Sequence, residues 1–399
     1  MSFRADELHP MRFLRAVPGS DLIVQQAVRR DPHGLLRSAT LDAMTEKVME
    51  LYNGELGRIP FEKRPSTMDV ITKTISTLAH IANFASAGRN SFLLPMELTG
   101  LLGRTDLGDI RLSDIKLPFR AFYLGFAGGL SVGLPGLPNV IDGAYVETFT
   151  IDDGAGPQRY LTFYVTSRRT DGPPRAKSAW IAAPEPHFYA PLKILADAQD
   201  TVEAAIERAT KSNDIALDAE PEAQAALIDG IRQAAEDGYC IEEPITTGFE
   251  RAAAFNVVAL PTMRSVLALL CNAVCLLSVE PLAASPGWPT EAPQSLVDAA
   301  LHGSTPKRRR TAMGKLAERG FFSARTLTLQ LGASDPAEPQ ADITTPSGRE
   351  MLPHWRRGHW RRQAHGAGNL ERRLSWIRPV LVRRDRGVDV EGHVYIVSN

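Results

Sequence analysis

The chain is poor in cysteine, with three in 399 residues, and this scarcity excludes a scaffold held together by disulfide bonds. An odd and small cysteine count favours a reducing compartment, so a cytoplasmic location is expected. Cys271 and Cys275 lie four residues apart in an apolar stretch, which places both on one side of a helix. Because no second ligand pair accompanies them for zinc, we expect them to pack as small hydrophobic side chains.

Long hydrophobic runs are also missing. The apolar stretch at 266–277 covers about 14 residues with its flanks, short of the roughly 20 that a membrane-spanning helix needs. The first nine residues carry charge where a signal peptide would need its apolar region. No membrane association is therefore expected.

Several motifs of nucleotide and metal chemistry are absent from the sequence. It has neither a phosphate-binding loop nor a dinucleotide-binding glycine fingerprint, which argues against a nucleotide-driven motor or a dehydrogenase. Residues 129–133 match the G-x-S-x-G pattern, but Pro135 and Pro138 follow at once and forbid the helix that a nucleophile elbow requires. We predict no cofactor and no metal site.

The spacing of apolar residues along the chain predicts an α+β protein in which distinct regions follow one another. A chain of this length exceeds one ordinary core, so two or three domains are expected. The regions are a helical N-terminal part, a central antiparallel sheet, a helical part with an acidic first half and a basic end, a linker, and a small basic β-rich C-terminal end. Their bounds are 1–105, 106–190, 191–334, 335–350 and 351–399.

Apolar residues recur at helical spacing over 41–52, after a possible cap at Thr40, and again over 70–82. His80 lies beside the second stripe, where a lone histidine is typically a partly buried, hydrogen-bonded side chain. From 110 onward the period changes to that of strands. Predicted strands lie at 115–126, 145–151, 159–167, 179–182, 374–382 and 393–397, and the glycine-containing stretch 152–157 predicts a hairpin loop.

Charge is distributed unevenly along a nearly neutral chain. Residues 1–300 hold 27 basic and 37 acidic side chains, whereas residues 301–399 hold 18 and 9. Within the body, residues 197–243 alone hold 13 acidic and 3 basic side chains. This acidic segment is either a solvated face, a mimic of nucleic-acid charge, or a cover for the basic end.

The most distinctive stretch is Pro353–Gln363, in which His-Trp-Arg-Arg occurs twice. Read as one strand, it places Trp355, Arg357, His359 and Arg361 on one face and His354, Arg356, Trp360 and Arg362 on the other. Guanidinium groups match phosphate geometry and indoles stack on bases, so a nucleic-acid partner is predicted. The predicted binding residues are Trp355, Arg356, Arg357, Trp360, Arg361 and Arg362, with the track extended by Lys307, Arg308, Arg309 and Arg310.

Two alternatives stay open at this point. His354 and His359, with neighbouring arginines, supply the residue types of a toxin-like, metal-independent RNase, provided that both imidazoles reach one phosphate. Alternatively, the protein is an interaction or structural component whose basic end docks on acidic helices of itself or of a protein partner. The residues of this stretch suit DNA and RNA equally.

The C-terminal pattern His359-Trp360-Arg361-Arg362-Gln363, followed by Trp376-Ile377-Arg378-Pro379, resembles a signature of uncharacterised proteins carried by phages, plasmids and bacterial genomic islands. The resemblance covers about the last 45 residues and implies a mobile-element or phage-conflict setting. It implies no particular reaction and assigns no catalytic residue.

Overall fold

The structure is a computed structural model that describes residues 3–17, 19–34, 36–56, 67–131, 139–152, 156–169, 187–195, 200–218, 245–279, 286–327, 354–369 and 371–382. It contains helices and mixed sheets, and the α+β prediction is confirmed. The predicted strands 179–182 and 393–397, the linker 335–350 and much of the acidic segment lie outside the described residues.

The N-terminal part is helical, as predicted. Its helices are α1 (His9–Ala16), α2 (Ser20–Arg30), α3 (Ser38–Leu56) and α4 (Thr67–Ser86). Met44, Val48 and Leu78 come from the predicted apolar stripes and are buried, which explains why α3 and α4 pack by these faces.

The central sheet has seven strands in the order β6-β5-β4-β3-β1-β8-β7. The strands are β1 (Ser91–Leu94), β3 (Ala121–Ser131), β4 (Asn139–Asp152), β5 (Pro157–Arg169), β6 (His187–Ile194), β7 (Pro286–Gly287) and β8 (Ala324–Thr326). β3 to β6 form an antiparallel meander, which confirms the predicted hairpin between β4 and β5.

The antiparallel prediction for 106–190 is confirmed by β3 to β6, whereas the sheet as a whole is mixed, because strands from outside that region join it. β1 runs parallel to both β3 and β8. All four residues of β1 are buried, so the strand has no alternation to reveal it in the sequence. β1, β7 and β8 also bring chain from the regions 1–105 and 191–334 into the sheet of the middle region.

Each face of the sheet covers its own core, because successive strand residues point to opposite faces. Phe122 and Leu124 face a core shared with α5 (Met96–Leu102), α6 (Val202–Asp218) and α7 (Ile245–Val279). Tyr123, between them, faces a second core. The N-terminal helices share that second core with α8 (Gln294–His302) and α9 (Pro306–Glu318).

α7 is the central helix of the first core. Its segment Pro261–Val279 has the length and hydropathy to cross a bilayer, but 67% of it is buried inside the protein. Cys271 and Cys275 are both buried there with free thiols, as predicted. Burial raises the pKa of both thiols above the ordinary value, which fits inert core side chains.

The described part of the C-terminal end contains four short strands: β9 (His354–Arg356), β10 (Gly358–His365), β11 (Glu371–Ile377) and β12 (Val380–Val382). Two predictions of single strands were wrong, because 354–362 is interrupted at Arg357 and 374–382 at Arg378 and Pro379. β10 also pairs in parallel with β2 (Thr105–Asp106), which attaches this end to the body of the protein.

Candidate interaction surface

The arginine- and tryptophan-rich run owes its geometry to strand pairing. β10 pairs antiparallel with β11, with Trp360 opposite Trp376 and Arg361 opposite Ser375. Because side chains alternate, each cross-strand pair lies on one face of the two strands. The tryptophan pair therefore faces the body, and Arg361 faces away from it.

Trp360 does not have the exposed ring that base stacking needs. It is only 4% exposed, and its ring stacks on Trp376 with centroids 6.0 Å apart and planes inclined by 23°. Its indole N–H donates to Oδ1 of Asn272 over 2.7 Å. The predicted role of Trp360 as a stacking platform for nucleic acid is therefore corrected, because its side chain is buried in the first core.

Asn272 of α7 connects three parts of the fold at this point. Its side-chain oxygen accepts from Trp360, and its amide nitrogen donates to the carbonyl oxygens of Leu102, over 3.1 Å, and Thr105, over 2.9 Å. The side chain is 2% exposed, so each of these bonds satisfies a group that water does not reach. The sequence analysis did not identify Asn272. The signal was an asparagine within the apolar stretch 266–277, because a buried amide is costly unless it has hydrogen-bond partners.

Arg362 lies on the inner side of β10 and pairs with Asp114. Its Nε and Nη2 lie 3.3 and 3.4 Å from the two carboxylate oxygens. Asp114 belongs to the short 3-10 helix Leu112–Asp114 and not to the acidic segment 197–243. This arginine is therefore committed to the fold, and its predicted contact with nucleic acid would require breaking that pair.

The outer side of the two strands is the candidate surface, here called the basic strand face. It is defined by His359, Arg361 and Gln363 on β10 with Arg373, Ser375 and Ile377 on β11, and His365 lies at the far end of the same side. All of these side chains are exposed except Ser375 and His365, which are half-buried. Among the described side chains, no carboxylate pairs with Arg361 or Arg373. The adjoining Arg356 and Arg357 are also exposed, which adds positive charge at this end of the chain.

The two histidines predicted for catalysis are His354 and His359. His359 is exposed on the basic strand face, and the side chain of His354, like that of Trp355, lies outside the described residues. His365 shares the face of His359 but lies six residues along the strand, about 20 Å away at the usual rise. These two imidazoles cannot reach the same phosphate.

The basic run Lys307–Arg310 lies in the first turns of α9, which packs in the second core, whereas β10 packs against the first. Lys307, Arg308 and Arg310 are exposed, and Arg309 turns back to donate to the carbonyl oxygen of Gly303 over 2.8 Å. These cations form a separate surface, and no described contact joins them to the basic strand face.

A buried polar cluster under the N-terminal helices was not predicted at all. Tyr123, Tyr145 and Tyr164 lie side by side on β3, β4 and β5, each buried between apolar neighbours in sequence. Their hydroxyl groups bond Thr166, His9 and Thr77 respectively. A tyrosine at the same alternation position of three successive strands is the signal that could have revealed this row.

An ion pair closes one end of this cluster. Arg12 of α1 lies 2.6 Å from Oδ2 of Asp142, whose side chain is 1% exposed. At the other end His80 bonds Glu147 over 3.1 Å and stacks on Tyr164, in agreement with its predicted hydrogen-bonded environment. Burial raises the pKa of Tyr123 well above its ordinary value, and the charge of Asp142 adds to the effect. The tyrosines therefore stay neutral, which suits a structural role in holding α1 and α4 to the sheet.

Among the described residues there is no group of three or more His, Cys, Asp or Glu that could hold a metal ion. The described part of the molecule is thus an α+β body with two cores and a basic strand face at its C-terminal end.

Residues 94–384 match the model of the AcrVA2-like family, described as the anti-CRISPR type V subtype A2 family. The match covers more than half of the chain, and the protein belongs to this family. A crystal structure titled "Crystal structure of AcrVA2" is 14% identical and covers 93% of this chain and 96% of that one, with a TM-score of 0.40. A comparison with curated proteins finds no match.

Membership of an anti-CRISPR family places the protein in phage conflict, which confirms the setting that the C-terminal resemblance implied. The family match extends far beyond that signature, from the end of β1 to the region after β12. It is therefore a property of most of the fold and not of the HWRR run in particular.

Proposed function

We propose that the protein inhibits a type V CRISPR system by binding the RNA-containing effector complex with its basic strand face. Two observations support the proposal: the family membership, and the cluster of exposed arginines that an otherwise acidic chain presents on a firmly anchored strand pair. The second observation carries the choice of surface.

The partner chemistry follows from the side chains of this face. Arg361 and Arg373 lie diagonally across the two strands, about 7–8 Å apart at the backbone. Each guanidinium presents a planar fork that matches a phosphate, so the two can engage neighbouring phosphates of one strand. Effector complexes of CRISPR systems carry a guide RNA, whose backbone is such a polyanion.

The anchoring under the face supports a binding role because it keeps the arginines in place. Trp360, Trp376 and Arg362 on the inner side are held by Asn272, Thr105 and Asp114. A preorganised surface loses less side-chain and backbone entropy on binding than a mobile tail does. In this proposal the indoles position the face and do not stack on bases.

The test is interference in bacteria that carry a type V system, measured as phage plating efficiency. The protein is expected to restore plating, and Arg361→Ala with Arg373→Ala is expected to abolish the rescue. Arg29→Ala with Arg30→Ala, two exposed arginines of α2, removes the same charge elsewhere and should leave rescue unchanged. Failure of the unmodified protein to rescue would overturn the inhibitory function, and full rescue by the Arg361 and Arg373 variant would overturn the assigned surface.

A binding assay distinguishes guide RNA from the effector protein as the partner of this face. Affinity for guide RNA should fall with salt, and the double variant should lower the slope of log affinity against log salt by about 1.4 for single strands, since each lost phosphate contact contributes about 0.7. Salt-independent capture of the effector protein without its RNA would show that the face recognises protein instead.

A further inference from the structure

α8 and α9 form a compact helical pair that has no part in the function proposed for the basic strand face. Only Gly303, Ser304 and Thr305 separate α8 from α9. A Cβ atom at Gly303 would lie 2.4 Å from the carbonyl oxygen of Ala299, so this tight turn demands glycine. A three-residue, glycine-containing turn is the kind of connection that a helix-turn-helix unit has between its two helices.

The unit is attached to the body by buried side chains. Val297 and Ala300 of α8 and Ala312 and Leu316 of α9 are buried in the second core. The Thr305 hydroxyl caps α9 by accepting from the backbone N–H of Arg308 over 3.2 Å. The strands that flank the pair, β7 and β8, are joined antiparallel and close the unit at its ends.

The side of α9 turned away from the core is basic and exposed. Lys307, Arg310, Thr311 and Gly314 follow the i, i+3, i+4, i+7 spacing and share this outer side. The whole helix holds five basic residues, and Glu318 at its last position is the one acidic residue. Beside the outer side, Arg308 and Lys315 border a groove of about 400 Å³ whose apolar wall includes Leu296 and Ala299.

Besides the exposed basic side of α9, the presence of Gly314 also indicates that another molecule binds there. Glycine is among the poorest helix formers, yet it lies in the third turn of α9 on an exposed side. A Cβ built there would meet no atom within 4 Å, so packing inside the fold does not require glycine. Bare backbone in the middle of a basic side lets another molecule approach closely.

We propose that α8 and α9 form a helix-turn-helix unit that binds double-stranded DNA, with α9 entering the major groove. The major groove of B-DNA is about 12 Å wide and admits an α-helix, whereas that of duplex RNA is deep and narrow. Lys307 and Arg310 contact phosphates at the groove edge, Thr311 faces the base edges, and Gly314 gives room for the sugar-phosphate backbone. This site is independent of the basic strand face and of the proposed inhibition.

The test measures binding of the full chain to a 24-base-pair DNA duplex and to a duplex RNA of the same sequence, over a series of salt concentrations. Lys307→Ala with Arg310→Ala should lower the DNA salt slope by about 1.8, since each phosphate contact contributes about 0.9. Gly314→Gln keeps the charge and improves helix propensity, yet it should weaken DNA binding about tenfold by filling the space that the duplex occupies. Arg29→Ala with Arg30→Ala is the charge-matched control and should bind like the unmodified protein.

Four results would overturn the proposal. They are absence of duplex DNA binding at low salt, equal binding of duplex RNA, unchanged DNA binding by both α9 variants, and loss of DNA binding in the Arg361→Ala and Arg373→Ala variant alone. The last result would assign the duplex to the basic strand face. Loss of DNA binding by the α9 variants with phage rescue intact would show that the two surfaces act separately.

Discussion

The indole N–H of Trp360 donates to the side-chain oxygen of Asn272, a residue 88 positions earlier in the chain. Through the same side chain, the carbonyl groups of Leu102 and Thr105 are also satisfied. One buried amide therefore joins the C-terminal strand pair, the core helix α7, the end of α5 and the start of β2. The exposed arginines of the neighbouring strand positions depend on this junction for their placement.

Trp360→Phe should destabilise the fold by about 1–3 kcal/mol, because Oδ1 of Asn272 would remain buried without a donor. Trp376→Phe is the matched control. Trp376 is only partly buried and donates to the Thr105 hydroxyl over 3.1 Å, so water can replace more of what it loses. Urea denaturation measures both, and an equal loss for the two variants would contradict the special role of the Trp360 bond.

Asn272→Leu should be more damaging than Trp360→Phe, since it leaves one donor and two carbonyl groups unsatisfied in the core. The two substitutions together should cost less than their sum, with a coupling of about 0.5–3 kcal/mol, because they remove one shared bond. A double-mutant cycle by chemical denaturation gives this coupling. Strict additivity would show that the bond contributes nothing.

Arg12→Met should cost about 3–5 kcal/mol, because it leaves the carboxylate of Asp142 buried and unpaired. Arg4→Met provides the comparison. Arg4 pairs with Glu291 at 3.5 Å in a more exposed setting, and such surface pairs contribute at most about 1 kcal/mol. Thermal and urea unfolding of the two variants should therefore differ clearly, and similar losses would refute the assignment of Arg12 to a buried pair.

Glu203 gives a pH dependence whose sign can be stated. Partial burial raises the pKa of this largely exposed carboxyl, and the negative charge of Asp106 and a hydrogen bond with it raise the pKa further. The folded state then binds the proton more tightly than the unfolded state, so stability falls as pH rises from the ordinary pKa through the raised one.

Glu203→Gln should remove this loss. Relative to the unmodified protein, the variant should gain stability above that pH window and show little difference below it. Because Glu203 is exposed, screening keeps the gain below about 1 kcal/mol. Unfolding midpoints measured on both sides of the window test the sign, and a variant that is less stable at neutral pH would contradict it.

Much of the fold follows from local pattern, and the exceptions have physical reasons. The helices α3 and α4 and the hairpin β4–β5 carry periodic apolar residues or turn glycines, and these elements were predicted. β2 and β7 have two residues each, too few for any period to show. They exist because a neighbouring strand offers its backbone groups, which is a property of the assembled sheet.

The candidate surface could also be predicted only in part. That Arg361 and His359 would share one face of a strand follows from alternation, and β10 places both outward. Which face would be covered could not be predicted, because both candidate faces of the HWRR run hold a tryptophan and arginines. Burial of Trp360 depends on Asn272 and Trp376, and neither lies near it in sequence.

By itself, the amino-acid order determined the kinds of elements, their order along the chain and the uneven charge, since propensity, periodicity and composition act over a few residues. Tertiary structure alone decided the mixed sheet, the tyrosine row against α1 and α4, and which arginines are paired and which are exposed. These features arise from contacts between distant segments, where burial makes a polar group costly unless a partner of the right geometry is brought to it.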